Sequence, residues 1–250
     1  MKKVFIVLIL TALVGTATAQ TGLYIGYENG FKMDKFHYVN SESKSLTGVQ
    51  PVEVLGGYLG YKFDNNTLET GFYSYGANIP VIHYDFAAAE PSKSGGAVSG
   101  TGMGQWVIPV RIGREFHCSK NKFFIKPEIS FNTFIAKEYS KDQPIGGWGE
   151  NISFPGNIST ATDSTLADTY GTTRMNFGIE PSILFGYRIK EKFDISLKGS
   201  YNSCFSPLYY DRITHYSGAE NVTATNTFYG NAFLVQIGVK YFFARQEKRE

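Results

Sequence analysis

The chain has 250 residues with 42% hydrophobic, 16% aromatic and 18% charged content, which excludes a disordered chain and bounds it at one domain or two small ones. Twenty-seven glycines and 17 tyrosines beside two cysteines and four methionines favour an all-β protein of many short strands over a helical bundle or a disulfide scaffold. Twenty-four basic against 22 acidic residues give a formal charge of +2, without the concentrated basic face that a nucleic-acid partner needs.

Met1-Lys2-Lys3 is a short cationic start, Val4 to Gly15 is an apolar run of twelve, and Ala17-Thr18-Ala19 supplies small residues where a signal peptidase reads. Residues 1–19 are expected to be a secretory signal, cleaved to leave Gln20 first. Twelve residues are too few to cross ~30 Å of hydrocarbon as a helix. No cysteine follows the cleavage site, so a lipoprotein is not indicated.

Beyond the signal, alternating segments predict eight strands at about residues 22–33, 51–63, 67–83, 103–117, 122–137, 173–189, 193–205 and 228–243. Three connections are tight, at 64–66, 118–121 and 190–192, and four are long, at about 34–50, 84–102, 138–172 and 206–227. An up-and-down antiparallel barrel sorts odd connections to one rim and even ones to the other. That predicts an eight-stranded transmembrane β-barrel over 20–243, with four long extracellular loops, three short periplasmic turns and a short periplasmic tail at 244–250. Ten strands stay open if the third loop extends the wall.

Strand eight sets Phe233, Val235, Ile237, Val239, Tyr241 and Phe243 on one face against Ala232, Leu234, Gln236, Gly238 and Lys240. A soluble lipocalin-like barrel has the same alternation with an apolar lumen, so the polar face decides. It carries Gly26, Gly56, Gly60, Gly71, Gly113, Gly178, Gly186 and Gly238, which make room for long side chains in a narrow lumen. Tyr61, Phe63, Phe116, Phe123, Tyr187, Phe193, Tyr241 and Phe243 gather toward the short-turn rim, as a membrane-interface girdle requires. The expected orientation is polar inside and apolar toward lipid.

The sequence from Gln236 to Phe243 places a polar residue, then Gly238 two on, with Tyr241 and Phe243 five and seven on. It is similar to the last-strand signal read by the barrel assembly machinery, and the mature chain as a whole resembles the small outer-membrane β-barrels, the OmpA- and OmpX-like barrel domains. The resemblance implies residence in the outer membrane of a Gram-negative-type envelope, contact with outer-membrane lipid, and passage through that assembly machinery. Such domains usually end at the final aromatic, whereas Ala244 to Glu250 follow here.

Parity assigns Glu28, Glu69, Glu115, Glu128, Glu180 and Asp194 to the lumen, against Lys62, Arg111, Lys126, Arg188, Lys198 and Lys240. Six charges of each sign in an eight-stranded interior are expected to pair and fill it, which argues against an open pore. Glu115 with Arg111, and Lys126 with Glu128 on the next strand, form the expected central cluster.

Catalysis has two fragments to consider: His83 with Asp85, and Asp211 with His215 near Ser206 and Ser217. Neither spacing establishes a triad. The expected function is that of an envelope structural or surface-interaction protein, with a lipid-modifying or peptide-cleaving barrel enzyme and a narrow channel as the alternatives. His37, His83, His117 and His215 are scattered, and Cys118 and Cys204 lack a C-x-x-C partner, so no metal or other cofactor is expected. Cys118 and Cys204 fall near opposite rims, too far apart for a disulfide. With a filled lumen, function is expected on the long loops of a monomer that meets an extracellular ligand or surface. There Trp148, between Gly147 and Gly149, is the candidate anchor or, alternatively, packs back on the rim or belongs to a strand extension.

Overall fold

In the computed structural model the described residues are 22–34, 37–38, 44–47, 51–77, 82–85, 103–118, 122–137, 139–140, 142–152, 163–189, 192–217 and 220–243. The expected signal at 1–19, the tail at 244–250 and the second loop at 87–102 lie outside them. Eight long strands build the body: β1 (Gly22–Asp34), β2 (Pro51–Phe63), β3 (Asn66–Ala77), β4 (Met103–Arg114, resuming at Phe116–Cys118), β5 (Phe123–Ala136), β6 (Met175–Ile189), β7 (Phe193–Cys204) and β8 (Ala232–Phe242). Each pairs antiparallel with the next, and β8 pairs with β1, so the sheet closes without an edge.

The register fixes the dimensions. Cα partners run from Gly22 to Lys62, Thr67, Gly113, Glu128, Ser182, Ser200 and Leu234, and return to β1 at Lys32, ten residues above the start. Ten residues are about 33 Å along a strand, against about 38 Å across eight strands. The strands therefore tilt by about 41° around a backbone cylinder about 16 Å wide. At that width, side chains fill the inside.

Burial decides which face is inside. Neighbours on β8 differ as far as neighbours can: Gln236 is 0% exposed and Ile237 is 63% exposed. The same alternation runs along β1, β2, β5, β6 and β7. The outward row of β8 from Phe233 to Phe243 covers about 25 Å of height once tilt is allowed for, the thickness of an outer-membrane apolar band. Outward-facing aromatics ring the short-turn end, with Phe123 against Tyr187 at 4.8 Å, Phe193 against Tyr241 at 4.9 Å and Tyr241 against Phe243 at 5.7 Å.

Several inward glycines lie directly under lumen aromatics. A Cβ on Gly26 would stand 2.1 Å from the Tyr58 ring, on Gly60 2.3 Å from Tyr24, and on Gly186 2.1 Å from Phe124. The tight turn between β2 and β3 consists of Asp64 and Asn65, with Asp64 at φ 54°, a left-handed conformation that aspartate tolerates better than most residues.

Three strand prolines coincide with breaks in the ladders, as their missing N–H requires. Pairing of β3 with β4 skips from Thr70–Val110 to Tyr73–Val107 beside Pro109, and Thr70 Oγ1 donates to the Pro109 carbonyl at 2.9 Å. Pairing of β6 with β7 skips from Ile179–Ser203 to Ser182–Ser200 beside Pro181. Pro127 faces the gap between Gly113–Glu128 and Phe116–Ile125. Glu115 leaves the ladder there, and its N–H donates instead to Asn65 O at 2.7 Å.

The wall departs from the sequence reading at its outer end. Strand three, expected to reach 83, ends at Ala77, and Ile82–Asp85 pairs separately with Lys44–Thr47. Strand eight starts at Ala232 rather than 228, because Gly230, at φ 79°, and its neighbours turn the chain out of a preceding hairpin. The third and fourth connections contain strands where the sequence reading expects loop. Gly146–Ile152, Asp163–Gly171, Tyr209–Ser217, Glu220–Phe228 and His37–Tyr38 pair in that order as a five-stranded sheet above the barrel. The barrel itself stays at eight strands.

Candidate functional site

Among the described residues fourteen charged side chains are buried in the lumen: the twelve assigned by parity, plus Lys32 and Asp34. Seven carry each sign, and every one has an opposite charge within 4 Å. Near the short-turn rim, Glu115 is the hub. It pairs with Lys62, with Arg188 Nη2 at 3.2 Å and with Lys240 Nζ at 3.2 Å, and His117 Nε2 stands 3.3 Å away. Asp194 shares two of those cations, at 2.8 Å from Arg188 and 3.2 Å from Lys240.

Farther up, Lys126 lies between Glu69 at 2.7 Å and Glu128 at 2.5 Å. Glu28 receives Arg111 at 3.0 Å, Lys198 at 2.9 Å and the Tyr73 hydroxyl at 2.8 Å. Tyr24 donates to Glu69 at 2.7 Å, and Asn132 donates to Glu180 at 2.8 Å. Glu28, Glu69 and Glu115 each accept several donors, the condition under which buried charge is tolerated.

The expected central cluster is therefore rearranged. Lys126 and Glu128 do meet, but Arg111 reaches Glu28 while Glu115 takes partners from β2, β6 and β8. Arg111 and Glu115 are four residues apart on one strand, about 13 Å along it. Across a cylinder about 16 Å wide, long side chains from different walls reach one another in the middle.

The upper lumen changes character. Val54, Tyr75, Val107, Phe134, Leu208, Tyr209 and Leu234 are buried against one another, with Ile145 and Phe228 packed on them. Leu208 is tied in by its N–H to Phe228 O at 2.8 Å and by its own carbonyl, which accepts from Thr172 N at 3.0 Å. Lys32 and Asp34 pair at 2.7 Å at this level, with the Lys32 ammonium 5.6 Å from the Phe228 ring centre. An apolar cap thus lies over an ionic floor. Sequence reasoning missed it, although Val52, Val54, Val107, Phe134 and Leu234 carry the lumen parity and signal it.

The other candidates are dispersed. Trp148 lies on an outer strand opposite Ala167. Asp211 and His215 lie on Tyr209–Ser217, opposite Thr169 and Thr165, while His83 and Asp85 belong to the separate two-stranded pair; the side chains of these five residues lie outside the described set. Ser206 Oγ donates to Asn176 Oδ1 at 2.7 Å. Cys118 is exposed, Cys204 is buried, and both are free thiols. In the expected assembly signal, Gln236 and Gly238 face the lumen, Tyr241 is half-buried, and Phe243 lies exposed on the girdle.

A closed sheet with aliphatic and aromatic side chains outside and paired charges inside is the inverse of a soluble barrel. It defines a membrane-spanning protein, and the chain is an eight-stranded outer-membrane β-barrel. Solved structures of outer-membrane proteins are similar to it. The outer membrane protein OprG from Pseudomonas aeruginosa matches with 9% identity and a TM-score of 0.48, over 90% of this chain and 98% of that one. Neisserial surface protein A matches with 11% identity and 0.43, over 90% and 99%. A major outer membrane protein from Thermus thermophilus matches with 8% identity and 0.44, over 88% and 99%. At these values the assignment rests on the strand pairing and burial of the chain itself. No family model and no curated protein matches the sequence.

Proposed function

We propose that the protein is a surface-interaction barrel of the cell envelope, which works by presenting a rigid outer sheet rather than by turnover or flux. The supporting observation is that the lumen is filled twice, by fourteen paired charges below and an apolar cap above, while the extracellular connections pair into a five-stranded sheet. Asp211 and His215 are four positions apart on one extended strand, about 13 Å, beyond the reach of a hydrogen-bonded nucleophile–base pair. In this reading residues 1–19 direct export, and the β8 residues Gln236, Gly238, Tyr241 and Phe243 engage the assembly machinery.

The test is planar-bilayer recording on purified, heat-modifiable barrel, followed by replacement of the two outer hairpins, 146–171 and 209–228, with short turns. Silence in the bilayer, with surface binding lost on hairpin replacement, is the expected result. Reproducible unitary conductance would overturn the reading in favour of a channel. Intact mass is expected to place Gln20 at the mature N-terminus.

A further inference from the structure

The outer sheet has two chemically different faces. Thr169, Gly171 and Tyr209 are buried, so their face turns toward the barrel mouth. On the opposite face Asp168, Tyr170, Tyr210, Thr214, Thr225 and Thr227 are half-buried and Arg212 is exposed. Register sets these in rows across three strands: Tyr170 beside Tyr210 beside Thr227, and Asp168 beside Arg212 beside Thr225. The two tyrosine rings stack at 5.1 Å with 13° between planes, and the Arg212 guanidinium lies over Tyr170 at 5.4 Å. Aromatic faces, a fixed guanidinium fork and a row of hydroxyls that both donate and accept are the groups that bind a polyhydroxylated anion.

The height of the platform selects the occupant. Tyr210 lies five residues past Phe205, an outward aromatic above the end of β7, so at most about 17 Å of chain separates them. A face that continues the outer wall just above the apolar band meets the headgroups of neighbouring lipids.

We propose that Tyr170, Tyr210, Arg212, Thr225 and Thr227 bind a phosphorylated saccharide headgroup of the glycolipid surrounding the barrel. Arg212 grips the phosphate with two N–H groups, the stacked tyrosines lie against the sugar ring, and the threonines take its hydroxyls. This inference rests on the reading of the outer sheet as the functional surface and names the partner of that surface.

The experiment measures binding of purified lipopolysaccharide to the full-length barrel in non-ionic micelles. The comparison ligands are dephosphorylated lipopolysaccharide, the deacylated phospho-oligosaccharide and phosphatidylglycerol. Folding of every variant is checked by heat-dependent gel migration. Lipopolysaccharide is expected to bind at least tenfold more tightly than its dephosphorylated form. Arg212→Gln and the double variant Tyr170→Ala/Tyr210→Ala are each expected to lose at least tenfold, and the deacylated phospho-oligosaccharide to retain binding. Equal affinity of wild type and Arg212→Gln would overturn the proposal, as would equal affinity for phosphatidylglycerol, which would indicate generic anion attraction. Binding unaffected by Arg212→Gln but abolished by hairpin replacement would remove this ligand site and leave the surface-interaction reading standing. Binding that survives both changes would remove both.

Discussion

At the short-turn end the barrel is closed by Glu115, Asp194, Lys62, Arg188 and Lys240, with minimal connections such as Asp64-Asn65. At the outer end it is closed by Leu208, Tyr209, Phe134 and Leu234, under strands that continue into a second sheet. The first closure draws on directional, long-range forces and tolerates no loss of balance. The second draws on packing, and it anchors the segments that leave the membrane. One cylinder thus combines an ionic lock, where the chain only turns back, with an oily seat, where it must hold an extramembrane structure in place.

The lower end should be the more brittle. Glu115→Leu removes the one anion paired with Lys62 and leaves Arg188 and Lys240 to share Asp194. Breaking one partner out of a buried ionic group costs about 3–5 kcal/mol. The temperature at which the folded band disappears on SDS gels is expected to fall sharply, and Glu115→Gln, which keeps the shape, is expected to lose most of the same stability. An unchanged transition for both would mean that the lock contributes nothing.

The upper end should respond to volume. Leu208 is fully buried, and Leu208→Ala is expected to cost about 2–4 kcal/mol through lost packing and a residual cavity. The same truncation on the lipid face, Leu197→Ala, is expected to cost less than about 1 kcal/mol, because lipid tails are as apolar as leucine and close over the gap. Thermal unfolding of the two variants in matched micelles compares them directly. Equal losses would mean that the cap is not packed as a core.

These contrasts also mark what a reader of the sequence alone can recover. The two-residue period made the orientation of the wall legible from Ile237 and Gln236 outward, and parity placed Glu28, Glu69 and Lys198 inside. Parity says nothing of height. Pairing Glu115 with Lys62 and Lys240 requires the ten-residue stagger, which emerges only when eight registers are closed into a ring. The cap was obscured for a different reason. Around Phe134 and Leu234 the lumen face is as apolar as the lipid face, so alternation loses contrast where the interior stops being polar. The outer sheet is hard to see in the sequence because its strands are rich in Thr, Asn and Gly and pair with partners distant in sequence, as Asp163–Gly171 does with Tyr209–Ser217.

The smallest effect belongs to the turn that lets the lower end be so compact. Phe63 pairs with Asn66 across Asp64 and Asn65, so Asp64 must hold its left-handed φ of 54° for Lys62 to sit at the level of Glu115. Asp64→Val puts a β-branched side chain into that conformation, at a cost of about 1–2 kcal/mol, while Asp64→Gly is free of the clash and is expected to match wild type within a few tenths of a kcal/mol. The ionic lock makes this prediction sharper. If the turn merely joins two strands, Asp64→Val and Glu115→Leu destabilise independently and their effects add. If the turn also sets the height of Lys62, the double variant loses less than the sum, because a misplaced ammonium has no partner left to lose.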